Sequence, residues 1–375
     1  MSLVRYIAMS DDSATAATAD LSTLAEDIQR AGIAGAGGAG FPSYAKWQRI
    51  DEVDFLMVNH QESEPSYYID KWLGMEHAEV FGQLFEVFLE ELLQTVVVGS
   101  KEKNRDPWAL PLEEAAPGEV VLPDELPIDA ADYEGIVHAY TADTYQLGME
   151  SVLLNMVADT VIGRDLPMDL GWIVQNTETL YNIHGALFED RPVTSKWVHA
   201  GGNVPQHRFL EVPVGTPAAD ILEAGGLEDA QIPDGQIVAD GGPGWCFGCA
   251  GDLETYPTSK ACNAFLLLDE DIVEENTFGK DERINVLEAY DWEDPANERE
   301  PTEFLEPDRV YIPLITNPDF EGIVAKSVPT VSEGDSVEVG QVIAEPGEGI
   351  SNYQHASIDG TVSSITDDHI IVDRD

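Results

Sequence analysis

Apolar residues along this chain alternate between two kinds of pattern. Val53-Asp54-Phe55-Leu56-Met57-Val58, Thr95-Val96-Val97-Val98-Gly99 and Trp172-Ile173-Val174 are short continuous apolar runs, as buried strands require. Between them, Ala78–Gln94 places Phe81, Leu84, Phe85, Phe88 and Leu92 on one helical stripe, which reads as core. Further helices are expected over Leu21–Ala31, from Tyr145 to about Ile162, and over Leu180–Phe188. Strand, polar loop and helix recur three times, which predicts a layered, Rossmann-like α/β domain over residues 20–190. Residues 1–20 read as a frayed terminus, and Asn104–Asp132, rich in proline and acid, as a surface excursion.

The pattern changes after residue 190. Trp197-Val198-His199 and Phe209-Leu210-Glu211-Val212 suggest a strand pair. Thr216-Pro217 open a short helix that Gly225-Gly226 stop, and Ile237–Ala239 and Ala264–Leu268 are further strands. Residues 191–270 therefore read as a small β-grasp module. Residues 271–308 are charge-dense and read as an acidic linker or covering arm. Residues 309–375 carry short strands at Val310–Leu314, Val337–Val339, Gln341–Ala344, Ala356–Ile358, Thr361–Ile365 and Ile370–Val372, separated by Gly-Asp turns. This is the pattern of a barrel-sandwich hybrid. Its expected hairpin tip, Gly349–His355, has no lysine for a prosthetic group, so it reads as a structural cap.

The most informative stretch is Gly35-Ala36-Gly37-Gly38-Ala39-Gly40-Phe41-Pro42, with Lys46 close behind. Its glycines admit φ > 0 and close backbone approach to a ligand. Pro42 suits a first helical position, so loop amides, helix start and ammonium would share one anion site. The spacing fits neither the strict dinucleotide fingerprint nor the P-loop, and a mobile glycine-rich linker stays open as the other reading. Asn59-His60-Gln61-Glu62-Ser63-Glu64-Pro65 follows a buried strand, the place where open α/β sheets put ligands.

Charge narrows the function classes. Against 71 acidic side chains stand 19 basic ones, a formal net charge of −52. That excludes a general nucleic-acid binder, which needs a basic face. The acids are dispersed, as on a halophile's solvated surface, and a salt-loving archaeal source is expected. An acidic docking face for a basic partner is the second reading. No apolar stretch approaches a membrane span, and Met1–Asp20 lacks a leader pattern, so a cytoplasmic location is expected.

Together, Gly37-Gly38-Ala39-Gly40-Phe41-Pro42 with Lys46, Asn59 with Glu62-Ser63-Glu64-Pro65, Gly148-x-Glu150 and Val174-Gln175-Asn176-Thr177-Glu178-Thr179-Leu180 resemble the NADH-oxidising flavoprotein subunit of respiratory complex I. The chain is similar also to that flavoprotein's relatives, the C subunit of the Rnf electron-transport complex and the cobalamin reductase of propanediol utilisation. The resemblance extends to their soluble-ligand-binding β-grasp (SLBB) domain and Rnf-type barrel. It implies an FMN site. Gly35, Gly37, Gly38 and Lys46 would hold the phosphate, and Asn59, Gln61, Glu62 and Ser63 would line the isoalloxazine and ribityl side. Tyr145, Gly148, Asn176 and Thr179 would close the site. Glu150 would contact a nicotinamide nucleotide, NADH ahead of NADPH, and Phe41 would be either a stacking surface or a buried loop anchor. Implied partners are other electron-transport proteins, some at a membrane.

The chain departs from that family in its cysteines. The relatives' iron–sulfur run is missing, and only Cys246, Cys249 and Cys262 remain. Cys246-x-x-Cys249 reads as a redox dithiol, as part of a zinc or iron–sulfur site with Cys262, or as inert thiols. Two rival functions follow: a scaffold that keeps the fold without catalysis, and a soluble-ligand binder for a corrin such as cobalamin.

Overall fold

The computed structural model describes residues 21–280, 282–292, 298–317 and 322–375; the expected frayed terminus, residues 1–20, lies outside them. The first sheet contains β1 (Phe55–His60), β2 (Thr95–Lys101), β3 (Glu119–Val121), β4 (Gly135–Thr141) and β5 (Trp172–Asn176) in the order β3-β4-β2-β1-β5. Every neighbouring pair is parallel. Around it lie α1 (Leu24–Arg30), α2 (Tyr44–Trp47), α3 (Ile69–Glu76), α4 (Ala78–Glu91), α5 (Leu110–Ala115), α6 (Glu150–Ala158) and α7 (Thr177–Glu189).

The continuous apolar runs are explained by two cores, one on each face. Leu56, Val58, Val96, Val98 and Ile173 pack with Phe81, Leu84, Phe85 and Phe88 of α4. Met57, Val97, Val137, Trp172 and Val174 pack with Leu153, Leu154 and Val157 of α6. Each such side chain contributes about 1.5–3 kcal/mol when fully buried. The chain leaves β1 for β2, moves outward, and returns to the other side of β1 as β5. The carboxyl ends of β1 and β5 therefore flank a topological switch point, the crevice where such sheets take ligands.

The second sheet uses β6 (Ser195–Gly202), β7 (Arg208–Pro213), β8 (Gln236–Gly242), β9 (Trp245–Gly248) and β10 (Ala264–Asp269), with α8 (Ala218–Ala224) against one face. Pro217, not Thr216, occupies the N-cap position of α8; the Thr216 hydroxyl turns back to Pro213 O at 2.7 Å. The described part of residues 271–308 is more structured than an acidic linker. After α9 (Glu270–Glu275), β11 (Thr277–Phe278) and β12 (Arg283–Ile284) extend the sheet beside β9, and β13 (Glu303–Phe304) extends it beside β7. Short edge strands face solvent, so acidic side chains are compatible with them.

The closing unit packs two small sheets around Val310, Ile312, Ile343, Val362, Ile370 and Val372. One holds β14 (Arg309–Pro313), β16 (Ser336–Val337), β19 (Gly360–Ile365) and β20 (His369–Arg374). The other holds β15 (Val328–Pro329), β17 (Val342–Glu345) and β18 (Gln354–His355). Ala356 and Ile358 are buried there without forming the expected strand. This unit braces the glycine-rich loop: Asn352 Nδ2 donates to Ile33 O at 2.9 Å, Asn317 Nδ2 to Ala39 O at 2.8 Å, and the Thr316 hydroxyl to Gly40 O.

Candidate functional site

The glycine-rich stretch is a closed loop rather than a linker. Gly35 N–H donates to Phe41 O at 2.9 Å, Gly40 N–H to Gly35 O at 2.8 Å, and Ala34 bridges Pro42. Pro42 is thus part of the loop's base, and the helix begins later, at Tyr44, for a single turn. The anion site expected at a helix start therefore reduces to the loop itself. Gly37, Gly38 and Ala39 are exposed at its tip, and among the described residues nothing accepts from their amides. Gly38 (φ +99°) and Gly40 (φ +64°) need glycine's freedom, whereas at Gly37 a side chain would crowd Asn176. A Cβ there would lie 3.0 Å from Asn176 Nδ2. Thr179 Oγ1 accepts from Ala36 N–H at 3.0 Å, fixing the loop to the start of α7.

Parallel register sets Asn59 of β1 beside Asn176 of β5. Asn59 Nδ2 donates to Gly148 O at 2.7 Å, which draws the loop before α6 to the same point. Gly148 has no room for a side chain, because a Cβ would sit 2.1 Å from Ser63 Oγ. Gln61 Nε2 and Ser63 Oγ are buried without a hydrogen-bond partner. Such orphans are uncommon in folded proteins and point to a ligand or solvent between them. Lys46 Nζ lies 2.8 Å from Glu150 Oε2 and donates to Val174 O at 2.9 Å. The two residues expected to serve phosphate and nucleotide separately are therefore paired to each other. Phe41 is half-buried at the loop's closure.

A buried polar network lies behind these groups. Asn176 Oδ1 caps α7 by accepting from Glu178 N–H at 2.9 Å, while its Nδ2 donates to both oxygens of Asp70 at 2.9 and 3.0 Å. Glu62, held at φ +39°, accepts from Asp70 N–H at 2.7 Å. Burial pushes the carboxyls of Glu62, Asp70 and Glu178 above the usual range. The neighbouring acids add to this for Asp70, and Lys71 and Lys196 oppose it at Glu62 and Glu178 respectively. Lys196 Nζ donates to Glu178 Oε2 at 2.6 Å and to Asn263 Oδ1 at 3.1 Å.

Glu64 ties the crevice to the β8–β9 hairpin. It accepts from Tyr145 Oη at 2.7 Å and from Gly244 N–H at 2.9 Å. Burial raises its pKa to about 7. Gly242 and Gly244 must be glycine: a Cβ on either would come within 2.2 Å of Glu64 or Tyr145. Sequence reasoning passed over Glu64, Asp70, Lys196 and Asn263. Glu64 stood in the Glu-Ser-Glu-Pro run that already marked the strand end, whereas the other three gain meaning only from folding.

Cys246, Cys249 and Cys262 are free and are divided between two apolar clusters, Cys246 in one and Cys249 with Cys262 in the other. Burial pushes the Cys246 thiol up to about 12 and raises the other two, so none is poised as a thiolate. Among the described residues no group of three or more His, Cys, Asp or Glu side chains is arranged to hold a metal. The cluster or zinc reading of these cysteines thus gains no ligand set.

Residues 28–185 match the Nuo51 FMN-binding domain, and residues 293–374 match the RnfC barrel sandwich hybrid domain. This chain carries both domains. The C subunit of the ion-translocating oxidoreductase complex of Pseudomonas aeruginosa is 32% identical over 257 residues, covering 66% of this chain and 30% of that protein. The cobalamin reductase PduS of Citrobacter freundii is 29% identical over 251 residues, covering 66% of this chain and 50% of its own. The chain thus spans half or less of the length of these curated relatives. An NAD+-reducing NiFe hydrogenase in its H2-reduced state shares the fold, with a TM-score of 0.50 and 21% identity over 68% of this chain and 48% of that one. No helix among the described residues is long and apolar enough to cross a membrane.

Proposed function

We propose that this chain is an FMN-dependent electron-transfer module that exchanges electrons between a nicotinamide nucleotide and a partner protein. One observation carries the reading: an exposed glycine loop, with the amides of Gly37, Gly38 and Ala39 unengaged among the described residues, meets two orphaned buried polar atoms, Gln61 Nε2 and Ser63 Oγ, at the switch point of a parallel sheet. Backbone amides suit a phosphate, and convergent polar side chains suit the edge of a planar ring.

In this reading the amides at Gly37 and Gly38, with Lys46, take the phosphate. Gly35 shapes the cradle instead of donating to it, since its N–H closes the loop on Phe41 O. Asn59, Gln61, Glu62 and Ser63 meet the ring and ribityl chain, and Tyr145 and Gly148 close the third side. Asn176 and Thr179 act chiefly by orienting the loop, since Asn176 is already engaged as a cap and with Asp70. Phosphate at Lys46 would compete with Glu150 and release that acid toward a nicotinamide nucleotide, with Phe41 as the stacking surface. When bound, FMN supplies two-electron acceptance and one-electron release; the protein supplies binding, orientation and the electrostatic field. The low-dielectric acids behind the crevice disfavour added negative charge there. A β-grasp assignment for the second unit, a cytoplasmic location and a saline habitat complete the proposal.

The purified protein titrated with FMN tests it. One equivalent should bind with quenching of flavin fluorescence, and NADH should bleach the visible band. Protein that ignores FMN but binds cobalamin would favour the corrin reading, and protein that ignores both would favour a scaffold.

A further inference from the structure

Trp245 leaves the β8–β9 hairpin directly after Gly244, whose amide rests on Glu64 and whose Cα faces Tyr145. It opens β9 next to that turn, and it is 44% exposed. The Arg283 guanidinium lies 3.8 Å from the centroid of the Trp245 ring and 5.1 Å from that of Phe278, itself 49% exposed. The three side chains make a layered ledge on the β9, β12 and β11 edge of the second sheet. Arg283 Nη2 donates to Gly244 O at 3.0 Å, which fixes the guanidinium, while Nε is buried with no partner. Among the described residues Arg283 forms no ion pair. In a chain with 71 acids and 19 bases, an arginine held by aromatic rings and a carbonyl keeps its charge for something else. That charge also reaches Tyr145.

We propose that the Trp245–Arg283–Phe278 ledge binds the adenine and phosphate end of a dinucleotide whose other end enters the crevice. An exposed indole face stacks a planar base, and a guanidinium fixed beside it offers donors to a phosphate. The combination fits an anionic planar ligand better than a neutral one, and the surrounding acidity rejects anions wherever such a cation is lacking. The inference rests on reading the crevice as a nicotinamide nucleotide site and adds to it a second anchor on the other sheet.

The test uses ADP-ribose, which lacks the nicotinamide, titrated calorimetrically into the full chain with and without FMN. Wild-type protein should bind it. Trp245→Ala and Arg283→Gln should each weaken binding about tenfold or more, and Trp245→Phe should retain most of it, while FMN affinity and far-UV circular dichroism stay unchanged. No binding by the wild type, or equal affinity in both variants, overturns the ledge; a protein-docking role would give the second result. Failure of FMN itself to bind would sink the functional reading, and the FMN-free titration would still decide the ledge.

Discussion

Replacing Lys196 by Met should be among the most damaging single changes in this chain. Its ion pair with Glu178 is enclosed on both sides, with side chains 1% and 2% exposed. Nζ donates to Glu178 Oε2 at 2.6 Å, Trp197 O at 2.8 Å and Asn263 Oδ1 at 3.1 Å. Glu178 Oε1 lacks a hydrogen-bond partner, so without Lys196 only the Trp197 backbone amide still favours the charged carboxylate. Stranding one charge of a buried pair costs about 3–5 kcal/mol, whereas replacing both partners by apolar groups is often neutral. Lys196→Met should therefore lose about 3–5 kcal/mol in urea unfolding in concentrated KCl, and Lys196→Met/Glu178→Met should recover most of it. The pH dependence has a definite sign. Burial already holds the Glu178 carboxyl above its ordinary value, and losing Lys196 raises it further. The folded variant then binds a proton that the unfolded chain releases, so its stability falls as pH rises from the ordinary carboxylate range toward the raised value. The deficit should be smaller at pH 5 than at pH 8. A single variant that loses under about 1 kcal/mol, or a double variant worse than the single, would refute the reasoning, because neither fits a stranded buried charge.

Three further outcomes follow. Gly148→Ala forces Ser63 aside and should cost about 1–3 kcal/mol of stability; because the shifted loop carries Gln61 and Ser63, FMN affinity should drop about tenfold, read by fluorescence titration. Lys260, buried beside Gly32 and lowered to about 7, makes the unfolded chain the better proton binder between that value and the ordinary lysine range. Lys260 should accordingly contribute a rise in stability with pH there of up to about 1.4 kcal/mol per unit, and Lys260→Met should lose that contribution relative to the wild type in pH-resolved melting. The three cysteines should react slowly with Ellman's reagent in the native protein and rapidly once denatured, since burial raises each thiol; fast native labelling would contradict their placement.

Much of the first domain was legible because β1, β2 and β5 are covered on both faces and so read as unbroken apolar runs. β4 obeys the same physics but hides it: Gly135-Ile136-Val137-His138-Ala139-Tyr140-Thr141 carries polar groups that are buried yet satisfied, His138 by Ala116 O and Tyr140 by Glu113. β9 lies in a Gly- and Cys-rich stretch whose local chemistry suggests a loop, and only pairing with β8 and β12 makes it a strand. The acids of residues 271–308 masked edge strands for a related reason, since an edge leaves its side chains in water. At the crevice, residues adjacent to strand ends could be named from sequence. Their pairings could not: Lys46 meets Glu150 across 104 positions, and Asn263 meets Lys196 across 67. Such contacts are set by sheet order, which no local pattern encodes.

The most direct measurement is an FMN titration of the wild type beside Lys46→Met and Gly148→Ala, followed by flavin fluorescence. Stoichiometric binding by the wild type, weakened in both variants while their circular dichroism stays native, is the predicted result. A wild type that leaves FMN fluorescence unchanged, or variants that bind as tightly as it does, would contradict the placement of the flavin between the glycine loop and the ends of β1 and β5.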